Sequence, residues 1–485
     1  MDEVGPIEEL TAALVAERAR AAELAASNAE LAASKAELRV RVAALEAQVA
    51  KLLELLGRNS SNSNKPPSSD PPNAKQAKKK KKGRRRGGQK GHRGSRRELL
   101  PPEQVDEVVD LFPPECTSCW KPLPQIPDDR AKRYQLTELK PLAAHTTEWR
   151  RHRVVCPCCG YTTRAKFDPE VLPRLAFGPR LMAVVGLLTG VYHLSRRQTV
   201  RLLRELLGVR MSLGSVSAIE KRVSEAVAPA VGEALESARA APVKHADGTT
   251  WLRSGALLSL WVLATQAVTV FKVLPNGQKA TLRDELFGGV RGILVSDRAT
   301  ALNFWAMRRR QVCWAHLVRK FVAYSERDGP AGKLGKELLE YTRLIFDYRT
   351  LFREGRLRRT TFVERMAPVR RQVEALLERA VRAKVEHVWG SCADILEHRE
   401  ALWTFVDHPG VEPTNNHAER ELRGLVMWRR RSFGSQSERG TQFAARMMTV
   451  AHTARKQGRE ILAFLAACCA PRPEGLAAPS LLASA

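Results

Sequence analysis

Between residues 243 and 314 the chain is written as three strands, a helix and two short strands, a pattern that few architectures accommodate. Val243 to Leu252, Ala256 to Ala264 and Ala267 to Leu274 are rich in Val, Leu and Thr, as half-buried strands require. Gly277 to Phe287 reads as a helix, Gly292 to Ser296 as a short apolar strand, and Gln311 to Trp314 as a further strand. Ser254 to Phe271 carries no charge and has about the length of the shortest membrane span. Its β-branched content, internal Ser259 and Gln266, and a natural break near Thr265-Gln266 make it two strands instead. Residues 316 to 408 are helical and highly charged, and read as an insertion. After them Thr414 or Asn415 is placed to cap a helix on which Asn416, Glu419, Arg420 and Arg423 share a face.

This order predicts an α/β core, ribonuclease-H-like, with a helical insertion. In such a core Asp247 lies on the first strand, Asp297 at the end of the fourth, and the two strands are neighbours. With Glu419 they make three carboxylates. An acidic residue at a strand end is commonly a cap, and Glu419 alone is explained by pairing with Arg423. Together they suit phosphodiester chemistry, in which two divalent ions about 4 Å apart activate the attacking oxygen and stabilise the leaving one. Mg2+ or Mn2+ is the expected ion, because few carboxylates plus a phosphate satisfy a hard cation. Arg420, Arg423 and the run Arg429-Arg430-Arg431 are expected to hold DNA beside the site.

The preceding residues divide into modules. Leu24, Leu31, Leu38, Leu45 and Leu52 recur every seven residues, and Ala21, Asn28, Lys35, Val42, Val49 and Leu56 fill the other seam position. This predicts a coiled coil over 1–57 and a homo-oligomer, with a dimer favoured. The alternative is one amphipathic helix packed on its own domain. Residues 58–100 read as a disordered basic linker. From Lys75 to Arg97 there are thirteen Lys or Arg and no acidic residue, so Lys79, Lys80, Arg84, Arg85 and Arg86 are candidate DNA contacts; the alternative is a solvated tail. Within 101–170 Cys116 and Cys119, then Cys156 and Cys159, form paired knuckles suited to tetrahedral Zn2+; Cys158 is an alternative to Cys159. Residues 171–235 read as a helix-turn-helix: a buried helix from Leu181 to Leu194, a second capped by Ser195 with Gln198 and ending at Gly208, and a third from about Ser212 to Val223. The catalytic domain is expected over 236–440 and a helical element over 441–485.

The net charge of +28 favours an anionic polymer as partner. No basic start followed by an apolar run opens the chain, and nine cysteines without an export signal point to metal rather than disulfides. A cytoplasmic, nucleoid-associated location and no membrane partner are the expectations.

Several segments resemble one family, the DDE transposases of the insertion-sequence-66 group, across nearly the whole chain. Asn59 to Asp70 and Gly87-Gly88-Gln89-Lys90-Gly91-His92-Arg93-Gly94 look like its linker signatures, and the cysteine pairs like its zinc-binding domain. His245-Ala246-Asp247, Val295-Ser296-Asp297 with Cys313-Trp314-Ala315-His316, and Thr414 to Arg420 with Phe433-Gly434-Ser435 resemble the segments carrying its three catalytic carboxylates. The resemblance implies metal-dependent DNA cleavage and strand transfer at terminal inverted repeats and target DNA, with accessory proteins encoded by the same element. One departure is Gly248, where the family usually has an acidic residue. It supports the alternative of a catalytically decayed transposase that only binds DNA. A structural nucleoid protein is a third reading, which leaves the ordered carboxylates unexplained.

Overall fold

The computed structural model describes residues 5–60, 62–63, 98–139, 142–166, 176–471 and 477–482. A five-stranded mixed sheet lies at its centre, built from β3 (Val243–Arg253), β4 (Ala256–Ala264), β5 (Thr269–Leu274), β6 (Ile293–Ser296) and β7 (Arg310–Val312) in the order β5-β4-β3-β6-β7. A separate antiparallel pair, β1 (Arg153–Val155) and β2 (Thr162–Arg164), precedes it. β3, β4 and β5 are antiparallel neighbours, and β6 and β7 run parallel to β3. The uncharged stretch forms strands as its composition dictates, and no helix among the described residues is long and apolar enough to cross a membrane.

Alternation along β3 divides the core. Ala246, with Trp261 and Leu263 of β4, packs toward α2 (Pro179–Gly186) and α4 (Leu213–Ala240). Trp251, Leu260 and Val262 pack toward α12 (Asn416–Ser432) and α13 (Glu438–Lys456). Asp247 is four residues from Trp251 and so stands on the α12 face. Both sheet edges are covered. Thr453 and Thr449 hydroxyls accept the Thr269 and Phe271 amides of β5 at 3.1 and 3.0 Å. On β7, Gln311 bonds Leu402 O and Phe405 N. These residues belong to α10 (Arg399–Leu402) and α11 (Thr404–Asp407).

The expected insertion is helical: α6 (Trp314–Ser325), α7 (Gly329–Arg353), α8 (Arg359–Arg382) and α9 (Trp389–Glu397), followed by α10 and α11, enclose a second core against β6 and β7. Several limits differ from the sequence reading. The residues from Gln278 on form a turn of helix, α5 (Lys279–Thr281), that widens into a π-helical stretch Leu282–Phe287. The last strand stops at Val312, because Cys313 takes the N-cap position of α6. α3 (Arg196–Leu207) carries the expected Ser195–Gln198 capping box and ends at Gly208 in the left-handed region. α4 does not stop at Val223: Val216, Ile219, Val223, Val227, Ala230, Ala234 and Ala238 stay buried along one stripe to the start of the sheet. The boundaries expected near 235 and 440 fall inside α4 and α13. Residues of α2, α4, α13 and α14 (Ile461–Cys469) share one core with the sheet.

Residues 5–57 form a single helix, α1, with Leu24, Leu31, Leu38, Leu45 and Leu52 all exposed. The linker expected to be disordered begins with a built turn. Asn59 N donates to Asn62 Oδ1 at 2.8 Å, and both side-chain amides donate to Gly57 O, the end of α1. Asn62 also reaches Glu326 Oε2 at 2.9 Å. Short polar side chains that bond nearby backbone make such turns.

Candidate active site

The register of β3 and β6 brings two carboxylates together. His245 pairs with Val295, and Asp247 and Asp297 each lie two residues beyond that pair on parallel neighbours. They therefore share a level and a face, on strands about 4.8 Å apart. Asp297 follows β6 directly, and its Oδ1 accepts Ala299 N at 3.0 Å, fixing the loop. The fully buried Arg310 guanidinium holds that loop from below, donating to Asp297 O at 2.8 Å and to Asn303 Oδ1 at 2.9 Å. Glu419 comes from the first turn of α12.

Asp247 feels the charge of the other two carboxylates, although the three do not form a cluster of ligand atoms within 4.8 Å of one another among the described residues. Burial, then the charges of Asp297 and Glu419, push its carboxyl up to about 7, against the lowering effect of the Gly248 amide and Arg319. Glu419 is not paired with Arg423. It faces α6, with Oε1 3.6 Å from His316 Nδ1 and Oε2 3.6 Å from Arg319 NH2. Glu419 Oε1 and His316 Nδ1 are both buried without a hydrogen-bond partner. A buried carboxyl raised by two neighbouring carboxylates, together with an orphaned carboxylate oxygen, is chemistry suited to divalent cations. Cys313, His316 and Glu419 also offer ligand atoms within 4.8 Å of one another.

Gly248 lies on the opposite face. It pairs across the sheet with Trp261, and a Cβ there would stand 2.7 Å from the Trp261 ring atoms Cε2 and Cζ2. A side chain at 248 would thus meet Trp261, not Asp247.

Of the expected arginine contacts, Arg420, Arg423 and Arg430 are exposed on α12. Arg429 is turned inward, with NH1 on Thr249 Oγ1 at 3.1 Å and Thr250 Oγ1 at 2.9 Å, so it ties α12 to β3. Gly434 lets the chain after α12 close on β3: at φ 90° a Cβ would lie 2.1 Å from Leu252 O, to which Ser435 N donates at 2.9 Å. Lys79, Lys80, Arg84, Arg85 and Arg86 lie outside the described residues.

The two cysteine knuckles are the same turn twice. Cys116 N donates to Lys121 O and Trp120 N to Cys116 O; Cys156 N donates to Tyr161 O and Gly160 N to Cys156 O, all at 2.9 Å. Trp120 and Gly160 each take positive φ. Amides of Ser118 and Cys119 hold the Cys116 thiol below its usual range. Amides of Cys159 and Cys158, with the Cys159 thiol, do the same at Cys156. Cys159, not Cys158, gives the side-chain contact to Cys156. The four thiols are not gathered into one cluster among the described residues.

Sequence reasoning missed Arg310, Arg319 and the bridging role of Asn415. The spacing of His316 and Arg319 on one helix face was available as a signal; the inward turn of Arg310 was not. The reading that Asn415 or Thr414 caps α12 with its side chain also changes. Asn415 is the N-cap residue, but its side chain makes no cap bond and reaches β3 instead.

No curated protein matches the chain. Residues 15–98 match the model of a family of unknown function, DUF6444. Residues 174–443, more than half of the chain and the whole span holding Asp247, Asp297 and Glu419, match the Transposase IS66 family, and the chain belongs to that family.

Proposed function

We propose that the chain is an active DDE transposase that cleaves and transfers DNA strands at the ends of its element, with Asp247, Asp297 and Glu419 as the metal-holding set. What supports this reading is placement: Asp247 on β3 and Asp297 at the end of the parallel neighbour β6 share a level, and Glu419 stands in the first turn of α12, whose buried face packs on the same side of the sheet, with the charges of Asp297 and Glu419 raising the Asp247 carboxyl. The strand order β5-β4-β3-β6-β7, three antiparallel strands and two parallel ones, supports the ribonuclease-H-like reading. Two Mg2+ or Mn2+ ions bound there would activate a water or a terminal hydroxyl and stabilise the departing oxygen.

The chain's own residues do the rest. Arg310 fixes the Asp297 loop, and Arg319 stands beside Glu419. Arg420, Arg423 and Arg430 face solvent on the helix that carries Glu419, where duplex phosphates would lie. α3 exposes Arg197, Arg201 and Arg204 ahead of α4, which suits helix-turn-helix contact with DNA. The basic arm adds salt-dependent affinity. The knuckles suit one structural Zn2+, and α1 suits a homo-oligomer. The binding-only alternative loses its motive, since position 248 faces Trp261 across the sheet from the site.

The test is metal binding. Mg2+ or Mn2+ at millimolar concentration should raise the melting temperature of the wild-type chain by a few degrees, because ions relieve the carboxylate repulsion. Asp247→Asn and Glu419→Gln should each abolish that shift. An equal shift in wild type and both variants would refute the assignment.

A further inference from the structure

Asn415 is fully buried and touches three segments at once. Its Nδ2 donates to Ala246 O at 2.8 Å, the carbonyl just ahead of Asp247. Its Oδ1 lies 3.2 Å from His245 Nδ1, on the same strand. Its backbone N–H donates to Cys313 Sγ at 3.1 Å, where the helix bearing His316 and Arg319 begins. Its carbonyl accepts Glu419 N at 3.2 Å. A residue in the N-cap position ordinarily spends its side chain on the amides of its own helix, a contribution of about 1 kcal/mol. Here the side chain forgoes that bond and joins two elements that are far apart in the chain.

We infer that Asn415 is a positioning residue that sets the spacing of Asp247 and Glu419, and through it the affinity of the site for divalent ions. The inference rests on reading those carboxylates as metal-holding. Asn415 itself touches no ion. Its planar amide fixes β3 against the start of α12 through one donor and one acceptor. Groups that orient metal ligands in this way typically alter metal affinity or activity by about 10- to 100-fold when removed.

The experiment is a Mn2+ titration of the full chain without DNA, following free Mn2+ by electron paramagnetic resonance, with circular dichroism as the check on folding. Asn415→Ser can cap α12 but is too short to reach Ala246 O. It is expected to stay helical and to bind Mn2+ about 10- to 100-fold more weakly. Asn415→Asp keeps the shape and the acceptor toward His245 but loses the donor. It adds a negative charge, so charge alone would tighten Mn2+, whereas a lost position weakens it. Wild-type affinity in the Ser variant, or tighter binding in the Asp variant, overturns the inference. Asp247→Asn is the control for the underlying reading: if it too binds Mn2+ like wild type, the carboxylate assignment fails and the positioning role with it. If Asp247→Asn loses Mn2+ and Asn415→Ser does not, the assignment stands and the positioning role alone is wrong.

Discussion

At position 248 the absence of a side chain is what lets Trp261 lie against β3. In sequence Gly248 stands next to Asp247 and reads as a carboxylate lost from the site. The two-residue period of a strand sends adjacent side chains to opposite faces, so neighbours in sequence are not neighbours in the site. Gly248→Glu is therefore expected to destabilise the fold by about 1–3 kcal/mol through overpacking against Trp261. It should leave Mn2+ affinity unchanged. Denaturant unfolding and a metal titration of that variant check both parts, and wild-type stability with tighter metal binding would contradict them. Arg429 teaches the same lesson in reverse. It belongs to an arginine run that reads as a DNA patch, yet its guanidinium is spent on Thr249 and Thr250. A run of charge in sequence does not say which member turns inward. Arg310 was beyond sequence reasoning for a similar reason: its role is set by the Asp297 loop it fills, and local pattern carries no trace of that loop.

Elements were more legible than residues. The strands of the sheet, the capping box of α3 and its glycine stop follow from periodicity and local hydrogen-bond chemistry, which act over a few residues. Lengths were less legible. α4 continues because its buried stripe continues, across a point where a domain boundary was expected. The first turn after α1 is built by Asn59 and Asn62, polar residues that composition alone assigns to disorder. The knuckles belong to this scale as well. Each carries one thiol, Cys116 or Cys156, made more acidic by backbone amides, and the two knuckles together are expected to hold about one Zn2+ per chain. Cys116→Ser or Cys159→Ser should remove the ion, whereas Cys158→Ser should keep it, as elemental analysis of purified protein would show. Full zinc in the Cys116 and Cys159 variants would rule out the paired-knuckle site.

Across the whole molecule, the proposed carboxylate site draws on strands, a loop and a helix that are distant in sequence, on a sheet whose core is shared with α2, α4 and α13. The order of strands was readable from the chain, but the sharing of that core was not, because helix-to-sheet contacts over long separations leave no local signature. The exposed leucine seam of α1 makes oligomerisation the remaining question of architecture. Deleting residues 1–57 should lower the oligomeric state measured by light scattering, since a helix of that length with an apolar seam is not expected to stay unpaired in water. A monomer both with and without those residues would contradict this. Asp297→Asn, assayed on a duplex carrying the element's terminal inverted repeat in Mg2+ or Mn2+, separates DNA binding from cleavage. The substitution keeps the shape of the side chain and removes a charge from the proposed metal-holding set. The expected result is wild-type binding of the duplex, carried by the basic surfaces, with cleavage lowered by more than about 100-fold. Cleavage at the wild-type rate by Asp297→Asn would contradict it.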